Sequence, residues 1–94
     1  MNKYEMVLIL KSNAEDEERQ QVLDRLLDAI RENGTVGEID DWGIRKLAYE
    51  INYNKEGYYY VVNYEAEPTV VAEVERRARI LDQVLRYLTV KKEA

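Results

Sequence analysis

Asn52-Tyr53-Asn54-Lys55-Glu56-Gly57-Tyr58-Tyr59-Tyr60-Val61-Val62-Asn63-Tyr64-Glu65-Ala66 sets a turn directly against a strand. Asn and Gly accept the backbone angles of tight turns, and a dense run of Tyr and Val suits a pleated, half-buried surface. Upstream, the apolar residues from Val36 to Ile51 alternate loosely, which predicts a long strand interrupted by a bulge at Trp42-Gly43. Two strands therefore adjoin as a hairpin with no helix between them.

Working outward, Pro68-Thr69 opens a helix in which Val71, Val74, Ala78 and Leu81 recur at spacings of three, four and three, ending near Asp82-Gln83. Val84 to Val90 then reads as a last strand, followed by a short charged tail at 91–94. On the other side, Tyr4 to Leu10 is a central strand with Tyr4, Met6, Leu8 and Leu10 on one face and Glu5, Val7 and Ile9 on the other. Ser12 or Asn13 is placed to cap a helix over roughly 14–33 with an acidic first turn. Val22, Leu23, Leu26, Leu27 and Ile30 form its apolar stripe, and Asn33-Gly34 reads as a left-handed terminator.

The order β-α-β-β-α-β predicts an α+β, ferredoxin-like sandwich formed by a single domain over residues 1–94. Its four-stranded antiparallel sheet would have the first and third strands central, both helices on one face and the other face open.

Composition removes many functions. The 94 residues include no Cys and no His, so thiol nucleophiles, disulfides and the usual zinc ligands are absent, and no metal or cofactor is expected. Met1-Asn2-Lys3-Tyr4-Glu5 lacks the pattern of an export signal, and no apolar run is long enough to span a bilayer. The expected location is cytoplasmic, without membrane attachment. The net charge of −5 argues against a protein that binds nucleic acid through overall charge. Its distribution is uneven: acid gathers at Glu15-Asp16-Glu17-Glu18 and Asp40-Asp41, base at Arg45-Lys46, Arg76-Arg77, Arg79, Arg86 and Lys91-Lys92.

A sheet covered on one side should turn polar residues outward. Here the outward positions include Val7, Ile9, Tyr59, Val61, Leu88 and Val90, an apolar set on three neighbouring strands that is expected to meet a protein partner. Sheet-borne aromatics can also stack unpaired bases, but the strand pattern of an RNA-recognition motif is missing, and no individual Tyr is assigned that role.

Trp42-Gly43-Ile44-Arg45-Lys46-Leu47-Ala48-Tyr49-Glu50-Ile51 resembles the signature of the bacterial small-subunit ribosomal protein number six family. Tyr4-Glu5, Gly57-Tyr58 and Arg79-Ile80 with Asp82 extend the resemblance over about residues 3–91. It implies a place in the platform of the small subunit, beside ribosomal protein eighteen and against the central domain of the small-subunit ribosomal RNA. Two departures stand out: the tail beyond the last strand is short, and Asn2 stands where a basic residue is usual. The candidate RNA contacts are Lys3, Arg45, Lys46, Arg79, Arg86 and Lys91, while Arg76 and Arg77 are expected to pair with Glu73 or nearby acids.

Two other functions are weighed against this. An acylphosphatase-like enzyme needs a glycine-rich phosphate loop, and Lys11-Ser12-Asn13-Ala14 has no Gly. Asp40 and Asp41 would point to opposite faces of a strand and form no catalytic dyad. A self-associating regulatory or small-ligand domain would also use an open apolar face, and a homodimer in the absence of RNA would mark it.

Overall fold

Alternation of Tyr4, Met6, Leu8 and Leu10 with polar and smaller apolar residues gives the first segment one wholly apolar face. In the computed structural model this segment is β1 (Asn2–Lys11). It is flanked by β3 (Asn54–Ala66) and β4 (Val84–Lys92), and β2 (Gly34–Ile51) lies beyond β3, giving the antiparallel order β2-β3-β1-β4. Residues 1–51 and 53–92 are described. Helices α1 (Asp16–Asn33) and α2 (Pro68–Ile80) cover the Tyr4 face, as the element order predicts.

Met6, Leu8, Leu10, Leu26, Ile30, Val62 and Val74 are completely enclosed between sheet and helices. Each such side chain contributes about 1.5–3 kcal/mol by leaving water. The α2 stripe is Val70, Val74 and Ala78, with Val71 and Leu81 packed at its margin, one residue out of phase with the expected start.

The helix ends differ from expectation for local reasons. Lys11 and Ala14 close a turn first, the Ala14 N–H donating to the Lys11 carbonyl. The N-cap is therefore Glu15, whose N–H donates to the Glu18 carboxylate, rather than Ser12 or Asn13. Gly34 is extended (φ −162°), not left-handed, and begins β2. Its glycine is needed for close approach: a Cβ there would stand 2.5 Å from the Glu65 carbonyl oxygen and 2.9 Å from the Ala66 Cβ. At the other end β4 continues through Lys91 and Lys92, which the sequence assigned to a tail. Asn52 of the turn and Glu93 and Ala94 of the tail lie outside the described residues.

The expected bulge is present. Gly43 has φ +73° and the β2–β3 register shifts between Asp41 and Gly43. Asp41 locks it by accepting the Gly43 N–H (3.0 Å) and the Tyr58 hydroxyl (2.9 Å). Arg19 lies over the Tyr58 ring at 4.0 Å and donates to the Ala14 carbonyl, so the bulge is tied to the start of α1. Asp40 pairs with Val61 and Asp41 with Tyr60, placing the two carboxylates on opposite faces as expected.

Tyr64 gives the core an alkaline limit. Burial, with Glu75 nearby, pushes its phenol from 10.0 up to about 12. Below pH 10 the phenol is neutral in folded and unfolded chains alike, and the packing is fully retained. Between about pH 10 and 12 the unfolded chain ionises first, so the domain should lose on the order of 2–3 kcal/mol. Urea unfolding at pH 9 and pH 11.5 tests this: Tyr64→Phe should shrink the alkaline loss, and an equal loss in the variant would show that other tyrosines cause it.

Candidate interface on the open sheet face

The register places all six predicted interface residues on the uncovered face. Val7 lies between Val61 and Leu88, Ile9 between Tyr59 and Arg86, and Glu5 between Asn63 and Val90. They are not equally accessible. Leu88 and Val90 are 56% and 46% exposed and Val7 and Tyr59 are half-buried, but Ile9 and Val61 retain only 8% and 4%. The expectation that all six lie open to a partner is thus corrected for these two.

The cause is the length of the hairpin. The β1–β3 ladder ends at Lys11 and Gly57, and the rest of β2 and β3 forms an arm beyond it. The arm folds back across the open face, since the Tyr49 hydroxyl accepts a hydrogen bond from Arg86 Nη1 on the far edge strand. Ile9 is pressed against Gly57, where any Cβ would collide with Ile9 Cγ2 and come within 3.3 Å of Leu47 Cδ2. Val61 is a short side chain set among Val7, Tyr59, Asn63 and Asp40.

Charge divides this face into two ends. At the Lys3 end the bases are matched: Lys3 lies 3.9 Å from Glu65, and Lys92 lies 3.4 Å from Glu5 and bonds Asn63. At the other end, about 20 Å away along β1 at the usual strand rise, the bases meet aromatic rings instead. Arg45 donates to the Trp42 carbonyl (3.3 Å) and sits 5.6 Å from the Trp42 ring centre. Arg86 lies 5.8 Å from that of Tyr49, and Trp42 stacks on Tyr59 at 6.4 Å and 13°. Among the described residues, neither Arg45 nor Arg86 has an acidic partner at ion-pair distance.

The six candidate RNA contacts do not form one patch. Arg45 and Arg86 share an end of the open face, and Lys3 occupies the other end. Lys46 pairs with Glu56 and so faces away from Arg45; Lys91 pairs with Tyr4 and stands on the helix side. Arg79 is in the last turn of α2, its Nε 3.4 Å from the Tyr87 hydroxyl. Arg76 and Arg77 both bond Glu73 at 2.7 Å, as expected, and these bonds hold the Glu73 carboxyl down at about 2. Sequence reasoning missed the Trp42–Tyr59 stack and the roles of Leu47 and Tyr49. The signal was present in the alternation Arg45, Leu47, Tyr49 after the bulge, which puts all three on the open side.

Among the described residues there is no group of three or more acidic side chains arranged to hold a metal ion, and no helix long and apolar enough to cross a membrane. A model of the family described as ribosomal protein S6 matches residues 3–91. The small ribosomal subunit protein bS6 of Alkaliphilus oremlandii is 48% identical over 93 residues, covering 99% of each chain. That of Heliobacterium modesticaldum is 37% identical over 94 residues, covering 99% of this chain and 98% of the relative. The crystal structure of 30S ribosomal protein S6 from Thermotoga maritima superimposes with a TM-score of 0.89 at 29% identity, covering 97% of this chain and 87% of that one.

Proposed function

Because the chain belongs to the ribosomal protein S6 family of the small subunit, we propose that it binds the central domain of the small-subunit ribosomal RNA in the platform, as a heterodimer with ribosomal protein eighteen. The family consists of structural constituents of the bacterial cytoplasmic ribosome, not enzymes. The observation that carries the binding role is the two-part open face: Leu88 and Val90 exposed on β4 beside Arg86, with Arg45 on the opposite edge strand, neither guanidinium at ion-pair distance from an acid among the described residues. An apolar strip with a rim of unpaired guanidinium fits a protein partner docked next to phosphate. Arg45 and Arg86 are the central phosphate contacts, and Lys3, Lys46, Arg79 and Lys91 are outlying ones reached only by RNA that passes around the domain.

With a net charge of −5, the protein alone should hold RNA poorly, and the partner should supply further base and pre-order the site. Affinity for a central-domain RNA fragment, measured with and without ribosomal protein eighteen, should rise about tenfold with the partner, a coupling of the usual size. Equal affinity in both conditions would remove the cooperative assembly.

A further inference from the structure

Resting on the RNA-binding role above, we propose that Trp42, backed by Tyr59 and bordered by Arg45, is a stacking site for one unpaired base of the bound RNA. Arg86, in the cross-strand row of the neighbouring Gly43, takes a phosphate further along the same strand of RNA.

Trp42 is held by the fold in a way that packing alone does not require. The bulge that carries it is locked twice by Asp41, through the Gly43 N–H and the Tyr58 hydroxyl. The indole is backed by Tyr59 and has the Arg45 guanidinium over its ring, 5.6 Å from the centre, yet the residue remains 48% exposed. A large flat π surface is thus pre-oriented on a rigid sheet, which lowers the ordering cost of a stacked ligand. Arg86, Ile9, Tyr59 and Gly43 form one row across the four strands, so at the usual strand spacing Arg86 lies about 10 Å from Tyr59 and about 14 Å from Gly43, the neighbour of Trp42.

The occupant must match both features. Two guanidiniums with no acid at ion-pair distance among the described residues call for negative charge, and the exposed ring calls for a flat apolar face beside it. A nucleotide carries the two together, whereas a base inside a duplex has its faces covered by neighbouring pairs. The site therefore fits unpaired RNA, with purines favoured by their larger stacking surface.

Trp42 is the single Trp of the chain, so its fluorescence reports this site alone. The full chain is titrated at about 20 mM salt, where phosphate contacts are strongest, with single-stranded oligoadenylate and with a blunt RNA duplex of equal length. Binding is followed by anisotropy of end-labelled RNA and, separately, by Trp emission with unlabelled RNA. Oligoadenylate should quench Trp42 with the same midpoint as the anisotropy, and the duplex should bind without quenching. Trp42→Ala should weaken oligoadenylate binding about tenfold without changing the salt slope, because no charge is lost, and Trp42→Phe should stay within about twofold of wild type.

Oligoadenylate binding that leaves Trp42 unquenched, or a Trp42→Ala variant that binds oligoadenylate as wild type, would overturn the stacking site while leaving the RNA-binding role intact. Absence of any anisotropy change, with or without ribosomal protein eighteen, would overturn that role and the stacking site with it. Quenching by an acidic, Tyr-containing peptide at least as strong as by oligoadenylate would assign the column to a protein partner instead.

Discussion

Ile9→Asp should strongly destabilise the isolated domain, while Leu88→Asp should leave its stability intact and abolish the proposed association with ribosomal protein eighteen. Both residues face away from the helices, but the hairpin arm seals Ile9 against Gly57 and leaves Leu88 more than half exposed. A carboxylate at position 9 would be stripped of water beneath the arm, and its cationic cross-strand neighbour, Arg86, could meet it only by giving up Tyr49, a cost of about 3 kcal/mol out of a total stability of about 5–15 kcal/mol. At position 88 the same carboxylate keeps its hydration, and a surface change of this kind alters stability by about 0.5 kcal/mol or less. Urea unfolding and sedimentation with the partner measure the two effects. Wild-type stability in Ile9→Asp would mean that the arm is not seated on the sheet. Undiminished association in Leu88→Asp would move the partner off this face. A wild-type homodimer that Leu88→Asp dissociates would favour the self-associating alternative.

Replacing Arg45 and Arg86 together by Ala should lower RNA affinity by about two orders of magnitude at 0.1 M salt. Each phosphate contact contributes about 0.9 to the slope of log K against log salt, hence nearly a factor of ten at that concentration. The double variant should therefore lose about two units of slope, with sequence preference unchanged. Measured in the presence of ribosomal protein eighteen, a wild-type slope would remove both residues from the footprint. The Lys3→Ala variant is the internal comparison: Glu65 already compensates its charge, so its effect should be the smaller one.

Legibility in the sequence followed the range of the interactions. Element order, strand pairing and the apolar stripes come from periodicities within a few residues, and β1, α1 and the Trp42-Gly43 bulge stand where those periodicities put them. The open-face register was legible for the same reason, because Val7, Tyr59 and Leu88 each follow from simple alternation. The accessibility of Ile9 was not. It depends on an arm that returns across the sheet so that Tyr49 reaches Arg86, and alternation says which face a residue takes without saying what lies over it. Gly34 shows the same limit: Asn-Gly after a helix suggests a left-handed cap, but the close approach of Glu65 and Ala66 decides its role. The scatter of Lys46, Arg79 and Lys91 away from Arg45 and Arg86 likewise depends on pairings distant in sequence.

The interrupted register of β2 also bears on solubility. An edge strand with a long, flat row of free N–H and C=O groups is a template on which other chains can polymerise. Along β2 the pairing with β3 shifts between Val36 and Ile39, between Asp41 and Gly43, and between Lys46 and Ile51. Each irregularity bends the strand, so its outer side never presents a straight run of hydrogen-bonding groups. The opposite edge, β4, is guarded by charge instead, with Arg86, Lys91 and Lys92 spaced along nine residues. Twist on one border and cation repulsion on the other work against edge-to-edge pairing of a Tyr- and Val-rich sheet whose open face still exposes Leu88 and Val90.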